Sequence, residues 1–216
     1  MVDLKEFEQK AADLRVLGMK ISIGQDTVYE KYWDEDCRRN IYSASKSFTS
    51  CAVGFAVQEG LIDLDERLMD AFKEDIPNNP DENLKKATVK DLLTMTLGQE
   101  KGFLMGKQRP RMEEQNWVKA SLAIPFVYEP GTHFVYNNVG PYLAGILVQR
   151  RAGCDLLSYL TPRLLKPLGI RKTIWEVDPE GNTFGAGGLF LTVSELHKLG
   201  MFYLQNGCWN GKNAAF

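Results

Sequence analysis

From Phe48 to Gly60 the chain reads FTSCAVGFAVQEG, with apolar residues at Phe48, Cys51, Ala52, Val53, Phe55, Ala56 and Val57. That sector is too wide and too apolar for a helix facing solvent, so this segment must run through a core that other elements cover. Gly60 supplies a left-handed stop, and the serine-rich SAS at Ser43–Ser45 supplies acceptors for the open N–H groups of a helix start. One helix is therefore predicted over Ser43 to Glu59. On it Ser43 and Lys46 stand three residues apart, which puts a hydroxyl and an amine on one face at the mouth of a buried helix.

The remaining pattern supplies the cover. Residues 3 to 16 carry an apolar stripe (Leu4, Phe7, Ala11, Leu14, Val16) and read as an amphipathic helix. MKISI and TVYEKYW then alternate around Gly24-Gln25-Asp26, which predicts an antiparallel hairpin with strands near 18–23 and 27–33. LIDLDERLMDAF leads into a short helix, and the polar KEDIPNNPDENLKK reads as a surface excursion. Thr88 and Asp91 form a capping-box start for VKDLLTMTL, closed by Gly98. Further helices are expected over 116–123, 139–152 and 155–166, and Thr192 with Glu195 opens another. The division expected is 1–45, helix and hairpin, against 46–216, mainly helical. A lone hairpin is marginal and leaves strand edges unpaired, so self-association through Gly18 to Trp33 is expected.

Net charge is −2 with acidic and basic residues interspersed, which argues against a nucleic-acid surface. The N-terminus lacks a basic start and an apolar run, and no segment is long or apolar enough to span a bilayer. A cytoplasmic location is expected unless a leader has been removed. Cys37, Cys51, Cys154 and Cys208 are widely spaced, with only His133 and His197 to join them, so they read as free thiols and a structural metal is not expected.

A serine attacks only when a base takes its proton, and a lysine serves as that base only when its pKa falls. A helix N-terminus and an apolar neighbourhood both push Lys46 toward the neutral amine. The alternative is that Ser43 caps the helix and Lys46 is solvated; a Ser-x-x-Lys arises about once by chance in a chain of this length. In EPGTHFVYNNVGPYLAGILVQRRAG, Tyr136 could relay a proton and Asn138 could orient a substrate. Asn138 as a plain N-cap and Tyr136 as a packing aromatic is the other reading.

In this order, YSASKSFTSCAVGFAVQEGLIDLDERL, ATVKDLLTMTLGQ, YEPGTHFVYNNVGPYLAGILVQRRAG, LLKPLGI and GAGGLFLTVSELHKLGMFYLQNG resemble the serine β-lactamase and penicillin-binding protein superfamily. The likeness is to its branch of class C β-lactamases, D-alanyl-D-alanine carboxypeptidases and β-lactamase-like esterases. It implies an α+β fold with an N-terminal helix, a hairpin and a helical domain. It further implies Ser43 as acylated nucleophile, Lys46 as its proton partner, Tyr136 as second acid/base and Asn138 as a substrate-orienting amide. The substrate implied is a small ester, a β-lactam or a D-Ala peptide, and the acyl transfer implied needs no metal or organic cofactor. An acylating receptor with slow turnover and a non-catalytic interaction module are the alternatives. Where many relatives place His and Ser, this chain has Met95 and Leu97, so LLTMTLG is read as structural. GAGGL, Gly185 to Leu189, reads as a close-packed turn near the cleft rather than a phosphate loop. Trp117 and Trp175 are candidates to line the pocket or simply to pack. The family's third motif, Lys-Thr-Gly or His-x-Gly-like, supplies an oxyanion donor from a later strand. The chain stops before it, so a fragment or a truncated product is expected.

Overall fold

The N-terminal helix α1, Lys5–Ala11, is shorter than its apolar pattern predicts, because Arg15 takes a left-handed conformation (φ 54°) that ends the helical path. The computed structural model describes residues 4–209 and 211–213. Strands β1 (Gly18–Ile23) and β2 (Asp26–Tyr32) form the predicted antiparallel hairpin, turning at Gly24 and Gln25 with a bulge beside Ser22. Strand β3 (Arg39–Asn40) precedes a 3-10 turn, Tyr42–Ala44, which leads into α2 (Ser45–Gln58). The single helix expected from Ser43 is thus a tight turn followed by an α-helix, and no serine side chain caps it. Helices α3 (Leu68–Ala71), α4 (Val89–Thr94), α5 (Trp117–Leu122), α6 (Val139–Ala152) and α7 (Leu156–Leu160) follow. A π-helical turn over Thr161–Leu165 continues α7. The chain then forms β4 (Phe190–Leu191), α8 (Val193–Leu204) and a small ladder of β5 (Cys208–Trp209) with β6 (Lys212–Asn213).

Elsewhere capping mostly follows the sequence. The predicted boxes form at Thr88/Asp91 and Thr192/Glu195, and Gly153 ends α6 in the left-handed region. Helix α4 stops earlier than expected, at Met95 (φ 57°) rather than Gly98. Gly98 instead serves a close approach: a Cβ there would lie 2.2 Å from the Tyr128 carbonyl oxygen.

Helix α6 is the centre of the molecule. Every residue from Val139 to Gln149 is buried, with α2 on one side and α4 on another. An all-round buried helix needs small residues where backbones touch, and Gly140 is such a point: a Cβ there would lie 2.2 Å from the Leu92 carbonyl oxygen. The hairpin lies to one side, flanked by two helices. Helix α1 reaches it through Glu8, which accepts from Tyr29 Oη (2.8 Å) and Lys31 Nζ (2.5 Å). Helix α8 reaches it through Ser194, 2.9 Å from Tyr32 Oη, and His197, 3.0 Å from Ser22 Oγ. One further pairing was not legible in the sequence: β3 and β4 form an antiparallel two-residue ladder, extended by Ile41 N–H donating to the Leu189 carbonyl (2.9 Å). That ladder draws the segment before β4 against the start of α2.

The four cysteines form no disulfide, and burial pushes the Cys51 thiol up to about 11, which keeps it inert. Among the described residues no helix is long and apolar enough to cross a membrane. Nor do three or more His, Cys, Asp or Glu side chains gather there to hold a metal ion.

Two of the helical glycines, Gly140 and Gly200, give opposite expectations. Gly140→Ala overpacks the α4–α6 contact and should cost about 1–3 kcal/mol or more. Gly200→Ala, in α8 with open space around it, should stabilise by about 0.5–1 kcal/mol. Urea denaturation of both variants checks the pair; equal effects would contradict the packing described.

Candidate active site

Ser43 sits in the 3-10 turn, exposed, and Lys46 follows it on the first turn of α2, half-buried. Lys46 Nζ lies 3.1 Å from Ser43 Oγ, 2.8 Å from Asn138 Oδ1 and 2.6 Å from the Ala186 carbonyl oxygen. Tyr136 Oη lies 2.7 Å from Ser43 Oγ, and Lys46 Nζ is 5.3 Å from the centre of its ring. All four residues singled out in the sequence therefore converge, although 93 positions separate Ser43 from Tyr136.

Each is delivered by a different device. Tyr42, the residue before Ser43, adopts φ 47°, unusual for a bulky side chain, and its N–H is held by Asn40 Oδ1 at 2.7 Å. Tyr136 lies on the extended THFVY segment, which is pinned by Val135 N–H to the Met95 carbonyl (3.0 Å) and Gly131 N–H to the Thr96 carbonyl (2.9 Å). The LLTMTLG segment thus supports the site through its backbone carbonyls, in line with its reading as structural, Met95 and Leu97 standing where many relatives place His and Ser. Asn138 precedes α6, yet its side chain does not cap it; the Asn137 side chain does so, accepting from Gly140 N–H at 3.1 Å. Asn138 Nδ2 instead donates to the Leu104 carbonyl (2.9 Å), and Leu104 itself is left-handed (φ 56°) and fully buried. Both ends of the Asn138 amide, which the sequence offered to a substrate, are engaged by the protein. Three non-glycine residues with positive φ, Tyr42, Met95 and Leu104, hold this site, as strained backbone often does.

The GAGGL turn was placed near the cleft by the sequence, but the acceptor it contributes is a main-chain carbonyl, which no residue letter reveals. Thr49 Oγ1 anchors the turn through the Gly185 carbonyl (2.7 Å), and Trp175 Nε1 through that of Gly187 (2.8 Å). Trp175 and Trp117 are both buried packing residues, and Trp117 meets Phe184 edge to face at 5.8 Å. Arg109, which the sequence did not single out, stacks on Phe184 at 4.2 Å and pairs with Glu176 at 2.7 Å.

The electrostatics follow from this packing. Burial holds Lys46 below the ordinary lysine pKa, with the Arg109 charge adding to the effect and Tyr136 opposing it. Burial would raise Tyr136, but its hydrogen bonds to Ser43 and Lys46, together with the Lys46 charge, bring it below the usual phenol value. A neutral amine has two N–H donors and one lone pair. With Asn138 Oδ1 and the Ala186 carbonyl taking the donors, the lone pair is left for the Ser43 proton. The arrangement can deprotonate a serine without histidine or metal.

A family model described as Beta-lactamase matches residues 5–208. Monacolin J acid methylbutanoyltransferase of Aspergillus terreus is 31% identical over 157 residues, which span 63% of this chain and 37% of that protein. Lovastatin esterase of Penicillium rubens is 31% identical over 150 residues, spanning 59% of this chain and 37% of the esterase. The chain therefore matches well under half the length of these curated relatives. A proposed 6-aminohexanoate-dimer hydrolase from Bacillus anthracis superposes with a TM-score of 0.82 at 21% identity, covering 99% of this chain and 60% of that one. The shared fold is the β-lactamase/transpeptidase fold, of which this chain carries part.

An NMR titration of the lysine side chains should show Lys46 losing its proton at lower pH than exposed lysines. In Arg109→Gln that midpoint should move upward, toward the ordinary value, since a repelling charge is gone. A Lys46 midpoint that ignores Arg109 would refute the electrostatic account.

Proposed function

The chain belongs to the Beta-lactamase family, and on that premise we propose an enzyme that acts through an acyl ester on Ser43, with a small ester or amide as acyl donor. The observation that carries this reading is Ser43 Oγ held between Tyr136 Oη at 2.7 Å and Lys46 Nζ at 3.1 Å. In the first step Lys46 takes the Ser43 proton, the Oγ–C bond forms, and the carbonyl carbon becomes tetrahedral. In the second the bond from carbon to the leaving group breaks, and that group receives a proton from Tyr136, which is resupplied by Lys46. Asn138 holds Lys46 in register for both steps. Water or an alcohol then takes the acyl group by the reverse sequence. Ser43 and Tyr136 are exposed, so either acceptor can reach the ester. The names of the two fungal relatives, one a transferase and one an esterase, support both outcomes for this scaffold.

Labelling with an alkyl fluorophosphonate, read by intact mass and peptide mapping, should place one adduct on Ser43 that disappears in Ser43→Ala. Ser47→Ala is the matched control; Ser45 is unsuitable because its buried hydroxyl accepts from Leu189 N–H at 3.1 Å. Lys46→Ala and Tyr136→Phe should each slow acylation by a factor on the order of 10² or more, and the double variant should be little worse. Labelling that survives in Ser43→Ala would end the proposal.

The hairpin supports a second proposal, concerning assembly. Among the described residues β1 and β2 pair only with each other, leaving outward-facing N–H and C=O groups on a two-stranded sheet. We infer that the chain self-associates through this edge, from Gly18 to Trp33. Sedimentation over a dilution series should show a concentration-dependent larger species, with hydrogen exchange slowed in those residues as it forms. A monomer at every concentration would contradict it.

A further inference from the structure

A cavity of about 560 Å3 lies beside the end of α7, and no residue of the candidate active site lines it. Its volume is that of a small-molecule pocket. The apolar floor is formed by Leu157, Leu165 and Ile170, the last two each 2% exposed. Around it stand Lys166, Arg171 and Lys172, three cations within seven residues. Among the described residues, none of these three side chains has a carboxylate or hydrogen-bond partner. Three uncompensated like charges gathered around one cavity repel one another, and an anion there would relieve that repulsion.

The surroundings hold this arrangement in place. Arg38, itself paired with Glu195 at 2.6 Å, donates to the carbonyls of Lys172 (2.6 Å) and Arg171. The turn is thereby fixed through its main chain, with Lys172 at φ 45°, while both side chains stay uncommitted. The far wall is the π-helical turn Thr161–Leu165, a geometry that costs hydrogen-bond quality and recurs at functional sites. The two hydroxyls at the cavity are spent as donors: Thr161 on the Leu157 carbonyl at 2.6 Å and Thr173 on that of Phe190. An anionic head group would therefore be held by the cations alone.

We propose that this cavity binds a long-chain carboxylate, its head among Lys166, Arg171 and Lys172 and its chain along Leu157, Leu165 and Ile170. A free inorganic anion would leave the apolar floor unused, and a neutral amphiphile would leave the charges unanswered. The test is calorimetric titration of the Ser43→Ala protein with monomeric dodecanoate. One-to-one binding is expected. It should weaken about tenfold or more when Lys166, Arg171 and Lys172 are all changed to Glu. The same three positions changed to Gln give a milder variant, so that a poorly folded charge reversal cannot conceal the result. Dodecanol should bind more weakly than dodecanoate, and inorganic phosphate should not displace it. The proposal is overturned by absence of dodecanoate binding, by binding indifferent to both triple variants, by dodecanol binding as tightly, or by displacement with phosphate.

Discussion

Everything around the candidate active site turns on one amine and the oxygens that hold it. Lys46 Nζ reaches Ser43 Oγ, Asn138 Oδ1 and the Ala186 carbonyl, which come from the 3-10 turn, the start of α6 and the GAGGL turn. A half-buried ammonium among acceptors is tolerable; the same amine without a proton retains donors for two of them and a lone pair for the third. The cradle therefore accommodates both protonation states without moving, and a proton-transfer group needs that property.

Such a cradle requires rigid supports, and the fold provides them at a local cost. Tyr42, Met95 and Leu104 occupy left-handed backbone conformations that non-glycine residues avoid. Each has a visible restraint: Asn40 holds the Tyr42 N–H, the Met95 carbonyl ties down the extended segment that carries Tyr136, and the Leu104 carbonyl receives the Asn138 amide. The uniformly buried α6, pressed against α2 and α4, supplies the packing that sustains these conformations. Removing strain at any of the three would release an atom on which Ser43, Tyr136 or Asn138 depends.

Paired charges take the same supporting part in two loops. Arg109 with Glu176 lies against the turn that carries Ala186, and Arg38 with Glu195 fixes residues 171–172. Both pairs are partly exposed, so their value lies more in orientation than in stability. At Arg109 the guanidinium also acts at a distance on Lys46, linking a loop outside the hydrogen-bonded cluster to its chemistry.

The sequence alone carried the local instructions. It specified the apolar centre of α2, the hairpin at Gly24, the capping boxes at Thr88 and Thr192, and Ser43, Lys46, Tyr136 and Asn138 as the chemical candidates. These are readable because periodicity, turn chemistry and side-chain reactivity act over a few residues. It misjudged what depends on distant neighbours: α1 ends at Ala11, α4 stops at a left-handed Met95, and Ser43 lies in a 3-10 turn ahead of the helix. The Ala186 and Leu104 carbonyls, the field of Arg109 and the β3–β4 ladder left no mark in the sequence. A main-chain oxygen looks the same under every residue letter, and a charge acquires its effect only from what it is packed against. Tertiary structure alone decided that the Asn138 amide is spent on Lys46, because only the folded chain brings α2, α6 and the Leu104 carbonyl within hydrogen-bonding distance of one another.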